Sequence, residues 1–193
     1  MKDVVYHEDF VPAGCSETEP TRAMQALGGD QWVSVYREAD RQKVNVVGGN
    51  AQSVGAAGGY SLGGGHSSMS PAYGLAVDNI LEVDIVLADG TLVTANKCQN
   101  QDLFWATKGG GGGTFGIVTR MMHQAHDPFD NYYQYLATFT SVSALCKVAK
   151  LDCSEIMVDT FHKFLKWTEE NQPGQWSGYA IWGHADGIDL MII

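Results

Sequence analysis

The chain has 193 residues, 45% hydrophobic and 18% charged, and carries a net charge of −10. That length and balance suit one large domain or two small ones with a buried core, and argue against a disordered chain. The acidic excess, without a Lys/Arg cluster, offers no footprint for a polyanion, so no nucleic-acid partner is expected. No apolar run reaches the ~18 residues of a membrane span, and none is expected to cross one.

The opening MKDVVYHEDF lacks the apolar centre of a signal peptide. Cys15, Cys98, Cys146 and Cys153 are scattered with no CxxC, and there is no Asn-x-Ser/Thr acceptor. They read as free thiols of an intracellular chain, with secretion kept open as the alternative.

Residues 2–6 predict a short strand, followed by a loop through Pro12, Gly14 and Pro20. Gln31–Gln42 predicts a helix, because Trp32, Val35, Tyr36 and Ala39 recur at helical spacing, with Asp30 as N-cap. Val44–Val47 predicts a short strand ended by Gly48-Gly49. Leu81, Val83, Ile85 and Leu87 alternate with Glu82 and Asp84, and Asp89-Gly90 turns the chain into TLVTA, which predicts a hairpin. Asn100 is expected to cap a short helix over Gln101–Lys108, stopped by Gly109. Phe115–Met122 returns to strand character. Beyond Pro128 glycine vanishes until residue 174, which places a domain boundary near residue 127. Strands are expected over 132–139 and 176–182. Between them an amphipathic helix is expected over Glu155–Glu170, with Val158, Phe161, Phe164, Leu165 and Thr168 on one face. Glu169-Glu170 reads as its solvated end, and the chain stops after MII without a finishing element.

Two glycine-rich stretches, residues 54–78 and 109–119, hold a large share of the 23 glycines. Each glycine costs backbone entropy on folding, so such density points to close backbone approach to an anionic or planar ligand, with the two stretches as walls of one cleft. No lysine follows either run at P-loop spacing, and neither run is followed by the helix of a dinucleotide turn. Gly59-Tyr60-Ser61-Leu62-Gly63 fits the Gly-x-Ser-x-Gly nucleophile elbow, but that elbow needs a helix where Gly63, Gly64 and Gly65 stand. His66, set apart as a ring that could sit at a ligand's edge, reads more simply as a histidine satisfied by local backbone. His123, His126, His162 and His184 make no metal-ligand pattern.

The ordered set VGAAGG, GGGHS, YGLAVDN, ADG, N-x-DLFWA and GGGGGTFGIV resembles the flavin domain of FAD-linked oxidoreductases. The family is the vanillyl-alcohol-oxidase-like (VAO) superfamily with its PCMH-type FAD-binding domain, in the fungal berberine-bridge-enzyme-like branch. The resemblance runs from about residue 2 to 126. It implies an α+β fold: the larger part of a PCMH-type FAD-binding domain over residues 1–127, then the incomplete start of an antiparallel-sheet substrate-binding domain over 128–193.

The resemblance further implies FAD as cofactor and hydride transfer from an alcohol, amine or sugar-like small molecule to flavin, commonly with oxygen as acceptor. It places Val54, Gly55, Gly58 and Gly59 beside the pyrophosphate, and Gly63, Gly64, Gly65 and His66 along the ribityl and isoalloxazine side. Leu75 to Asp78 would close that wall, and Gly113, Gly116, Ile117 and Val118 would line the cofactor through backbone. Full-length members carry an Arg-x-x-Gly-His segment whose histidine bonds the flavin 8α-methyl, and here the likeness begins downstream of it. A second linkage uses a cysteine at the position of Ala51. No covalent attachment is therefore expected, and no catalytic base is assigned. A truncated product or remnant is expected; the alternatives are an inactive interaction module without flavin and, more remotely, a serine hydrolase. Oligomeric state and compartment are left open, although full-length relatives are often secreted.

Overall fold

The computed structural model describes residues 2–130, together with ten helical positions: 148, 149, 159, 162, 163, 165–167, 169 and 170. The chain divides into two units, Met1–Asp130 and Asn131–Ile193. In the second, Lys163 pairs with Asp159 and Lys166 with Glu170, both one helical turn apart. The described positions of the expected 155–170 helix are helical. The strands expected over 132–139 and 176–182 lie outside the described residues. The rest concerns the first unit.

Its frame is an antiparallel sheet of β1 (Val5–Phe10), β2 (Thr21–Leu27), β3 (Asn45–Val46), β4 (Ile80–Val86), β5 (Leu92–Asn96) and β6 (Ile117–His126). The order is β1-β2-β6-β4-β5, with β3 paired to the end of β6. The central strand is β6, a run of ten residues that pairs with β2 on one side and β4 on the other. The β4–β5 hairpin forms where alternation and Asp89-Gly90 place it. Thr91 N–H donates to Asp89 Oδ1, and the register sets Val83 against Ala95.

One face of this sheet carries Met24, Ala26, Val83, Ile85, Ala95, Met121 and Ala125, and it buries Trp32, Val35 and Ala39 of α1 (Trp32–Gln42). The other face is not left to solvent. Glu82, one of the charged residues of the alternating strand, is 3% exposed. It accepts hydrogen bonds from Ala13 N–H, Asn96 Nδ2 and Arg120 Nη2 at 2.6–2.8 Å. The segment after β1 therefore folds over that face, and Asn96 Nδ2 also donates to Ala13 O at 2.9 Å.

A disulfide between Cys15 and Cys98 closes this arrangement. It corrects the free-thiol expectation for Cys15 and Cys98, because two residues 83 positions apart meet only once β5 lies under the folded-over segment; Cys146 and Cys153 lie outside the described residues. Other departures are local. The first strand runs to Phe10 rather than stopping at residue 6, and β2 follows the expected loop, in a stretch to which the sequence assigned no element. The last strand begins at Ile117, two residues after Phe115. Asp30 does not cap α1: its Oδ2 accepts Leu27 N–H and Asp3 N–H instead. The first α1 amides, Trp32 N–H and Val33 N–H, donate to Val54 O and Gln52 O. Asn100 holds a left-handed conformation, and its side chain donates to Thr94 O and accepts no amide of the helix it precedes. Among the described residues, no helix is long and apolar enough to cross a membrane.

Candidate functional site

The first glycine stretch begins where it caps α1. Gly55 bridges Gln31, and Ala56 N–H donates to Asp30 O at 2.9 Å, so Val54 and Gly55 are exposed beside the start of that helix. Ala56 and Ala57 then enter the core, and the chain emerges as α2 (Gly59–Leu62), a single turn. Ser61 lies in that turn, fully buried, with Oγ donating to Ala56 O at 2.9 Å. A buried hydroxyl spent on its own backbone is not a nucleophile at a strand–helix elbow, so the serine-hydrolase alternative does not fit.

Gly63 to His66 follow as a turn tied to the next element, since Ala76 N–H donates to Gly65 O and Val77 N–H to Gly64 O at 2.8 and 3.0 Å. That element is the 3-10 turn Ala76–Asn79, preceded by α3 (Ser70–Tyr73). Leu75 is exposed. Asp78 accepts Leu75 N–H at 2.8 Å and packs beside Gly74, which makes its carboxylate the fastener of this bend. Asn79 is buried and donates to Tyr73 O and Leu75 O, while its Oδ1 accepts from His126 Nε2 at 2.6 Å. Burial and the nearby Arg22 cation hold the His126 pKa below its ordinary value, against the opposing pull of Asp127.

The second glycine stretch leaves α4 (Gln101–Thr107) and returns to the first. Leu62 O accepts both Gly109 N–H at 2.9 Å and Gly111 N–H at 3.1 Å. A Cβ on Gly112 would stand 3.2 Å from Gly59 Cα. The two stretches therefore touch backbone to backbone. Gly116 leads into β6, which opens at Ile117; Val118, the next residue, is buried in the core, so only its backbone can face a ligand.

What a side chain would meet at each glycine separates packing from open space. At Gly116 a Cβ would strike Val86 O at 2.5 Å, at Gly63 Gly59 O at 2.8 Å, and at Gly65 the Tyr60 ring and Ala76 at 2.7–2.8 Å. These glycines are accounted for by the fold. At Gly58, Gly59, Gly64 and Gly113 a Cβ would meet no atom within 4 Å. Gly59 is helical and lacks the positive φ that would call for glycine, so neither packing nor conformation explains it. His66 stands exposed at the edge of this region. Among the described residues, no group of three or more His, Cys, Asp or Glu side chains could hold a metal.

Residues 15–96 match the family model of the FAD binding domain. An FAD-linked oxidoreductase of Aspergillus flavipes is 38% identical over 180 residues, which is 93% of this chain and 28% of that protein. The VAO-type flavoprotein MtVAO713 of Myceliophthora thermophila C1 superposes with a TM-score of 0.61 at 39% identity, over 65% of this chain and 22% of that one. In sequence and in fold the chain is similar to the VAO-type FAD-binding oxidoreductases. BBE-like 1 of Physcomitrella patens shares the fold at 40% identity and a TM-score of 0.52, over 54% of this chain and 23% of that one. The chain thus spans between 22% and 28% of the length of these relatives. FAD is the cofactor of the family, and its fit is consistent with what the residues offer: small, open backbone for a pyrophosphate and a flat ring, with no metal cluster competing for the site among the described residues.

Sequence reasoning did not single out Tyr60, Trp32 and Tyr36 as parts of this region. Gly48 and Gly49 were the available signal, because each is glycine to admit one of these rings.

Proposed function

We propose that this chain provides one wall of the FAD site of an oxidoreductase acting on an alcohol, amine or sugar-like small molecule. Bound FAD would supply the two-electron acceptor for that oxidation. Val54, Gly55, Gly58 and Gly59 would line the pyrophosphate, with Gly63, Gly64, Gly65 and His66 continuing along the ribityl and ring side. Leu75 and Asp78 would close the wall, Asp78 by holding the bend. Gly113, Gly116, Ile117 and Val118 would face the cofactor through backbone from the second stretch. Residues 1–127 would form this part and 128–193 the beginning of the substrate-binding domain.

The observation that carries the reading is the open space over Gly58 and Gly59, beside the junction at Leu62 O where the two stretches meet. Attachment is proposed to be noncovalent in this chain. Ala51 has no sulfur to offer, and Cys15 and Cys98 are already joined to each other.

The test is an absorbance spectrum of the purified chain incubated with FAD, scanned for the flavin bands near ~375 and ~450 nm, which belong to the cofactor itself. Bands that co-purify with the chain and pass into the supernatant on acid precipitation are the expected result. A chain that stays colourless after added FAD would sink the proposal and favour an interaction module without flavin.

A further inference from the structure

We propose that Tyr60 is a positioning residue for the cofactor wall, a strut that holds the Gly63–His66 turn in the shape a ligand meets. This rests on the FAD reading above and goes beyond it by assigning the wall's geometry to one hydroxyl.

Backbone hydrogen bonds from Ala76 and Val77 hold the turn at Gly65 O and Gly64 O, but its own residues restrain it little. It contains three consecutive glycines, with Gly64 at φ +114° and Gly65 at φ +68°, and glycine restricts the backbone least of all residues. Its His66 end is gripped from below by Tyr60, whose hydroxyl donates to His66 O. The Tyr60 ring is itself fixed. It meets the Trp32 ring edge-on at 5.5 Å, and Trp32 stacks on Tyr36 at 5.5 Å. Tyr36 in turn donates its hydroxyl to Gly49 O at 2.6 Å.

Three glycines admit these rings closely. A Cβ at Gly48 would lie 2.5 Å from the Trp32 ring, at Gly49 2.9 Å from Tyr60, and at Gly65 2.7 Å from Tyr60. The aromatic trio is therefore a plinth anchored in α1 and the core, and the Tyr60 hydroxyl is its point of contact with the far end of the turn. Ligand binding to a loop held in shape avoids the entropy of ordering that loop, so loosening it weakens binding without removing any contact to the ligand.

The test is Tyr60→Phe in the 193-residue chain. The variant keeps the ring against Trp32, Gly49 and Gly65 and deletes only the hydroxyl. Tyr6→Phe serves as control, since Tyr6 donates to Glu8 within β1 and the same chemical change there removes no bond to the Gly63–His66 turn. Amide hydrogen exchange without ligand is expected to quicken across residues 63–68 in Tyr60→Phe and not in Tyr6→Phe. FAD affinity, read from flavin fluorescence on titration, is expected to fall about fivefold to tenfold in Tyr60→Phe alone, the weight of one hydrogen bond. A general loss of stability would show as a lower melting temperature and quicker exchange throughout the first unit. That pattern would overturn the proposal. So would unchanged exchange over 63–68, or an FAD affinity within twofold of the parent chain. Failure of the parent chain to bind FAD, with exchange over 63–68 still quickened, would sink the flavin reading while the strut stands.

Discussion

Arg120 stands on the outer face of the sheet between two carboxylates, with Nη2 2.6 Å from Glu82 Oε1 and Nε 2.6 Å from Asp84 Oδ2. Desolvation works against the ionised form of Asp84, yet Arg120 and Thr94 outweigh it and hold its pKa below the ordinary carboxylate range. Glu82 has only 4% of its side chain exposed, so deleting the guanidinium strands a buried charge. Arg120→Met is therefore expected to cost about 3 kcal/mol in urea unfolding. A cost below about 1 kcal/mol would show that the carboxylates find other relief. His123 poses the opposite problem. It is fully buried beside Trp32 at 5.4 Å, and neither ring nitrogen has a hydrogen-bond partner among the described residues. Burial pushes its pKa down to about 4 from 6.5. With the folded value below the unfolded one, its contribution to stability is fully present above pH 6.5 and falls as pH drops towards 4. The loss over that window is on the order of 3 kcal/mol at ~1.4 kcal/mol per unit. His123→Leu is expected to remove this component of the acid slope at little cost near neutrality, because no hydrogen bond is lost. An unchanged slope between pH 6.5 and 4 would refute the assignment.

At the scale of elements, the α2 turn offers the sharpest division between fold and ligand. Gly59 is its first residue, exposed, in helical conformation, with no atom within 4 Å of a Cβ. Gly59→Leu is expected to leave the melting temperature within about 2 °C, as surface changes away from special features do. FAD affinity should fall at least ~10-fold, because the new side chain occupies the space assigned to the cofactor. Equal affinity in the variant would mean that this space is not the cofactor's. The contrast between Gly59 and Gly65 also shows what a sequence can express. Both are glycines in one run, yet one faces open space and the other faces the Tyr60 ring, a difference that exists only once that ring is set against Trp32 of α1. The β4–β5 hairpin was legible because period-two alternation and an Asp-Gly turn are local signals. β2 was not, because Thr21–Leu27 is rich in Ala, Met, Gln and Leu, which favour helix, and its strand form comes from pairing with β6. Asp30 and Asn100 had the right residue type for caps, but tertiary neighbours took their side chains. The ordered glycine motifs carried the family because their spacing encodes the walls, whereas the plinth beneath them is assembled from residues in separate elements.

For the molecule as a whole, the strand order leaves β1 and β5 at opposite edges of the sheet path, and the segment after β1 must cross one face to reach β5. Polar contacts guide that crossing: Ala13 N–H and Asn96 Nδ2 both donate to Glu82, and Cys98 N–H donates to Asn96 Oδ1 at 2.8 Å. The Cys15–Cys98 bond then makes it permanent, closing a loop with a sequence separation of 83. A crosslink of that span removes conformational freedom from the unfolded chain, worth about 4.5 kcal/mol in the loop-entropy account. Stability of the first unit should therefore depend on redox conditions. The double substitution Cys15→Ser and Cys98→Ser is expected to lower unfolding free energy by about 2–4 kcal/mol, and a thiol reductant should reproduce the loss in the parent chain because Cys98 is exposed. The reductant should have no further effect on the double variant. Equal stability of oxidised and reduced chain would show that the polar contacts to Glu82 already hold the segment and the bond adds nothing. The expected dependence also bears on where the chain folds. Such a bond persists in oxidising compartments and is reduced by cytosolic thiols, so production in an oxidising host compartment should yield more folded protein than production in a reducing one.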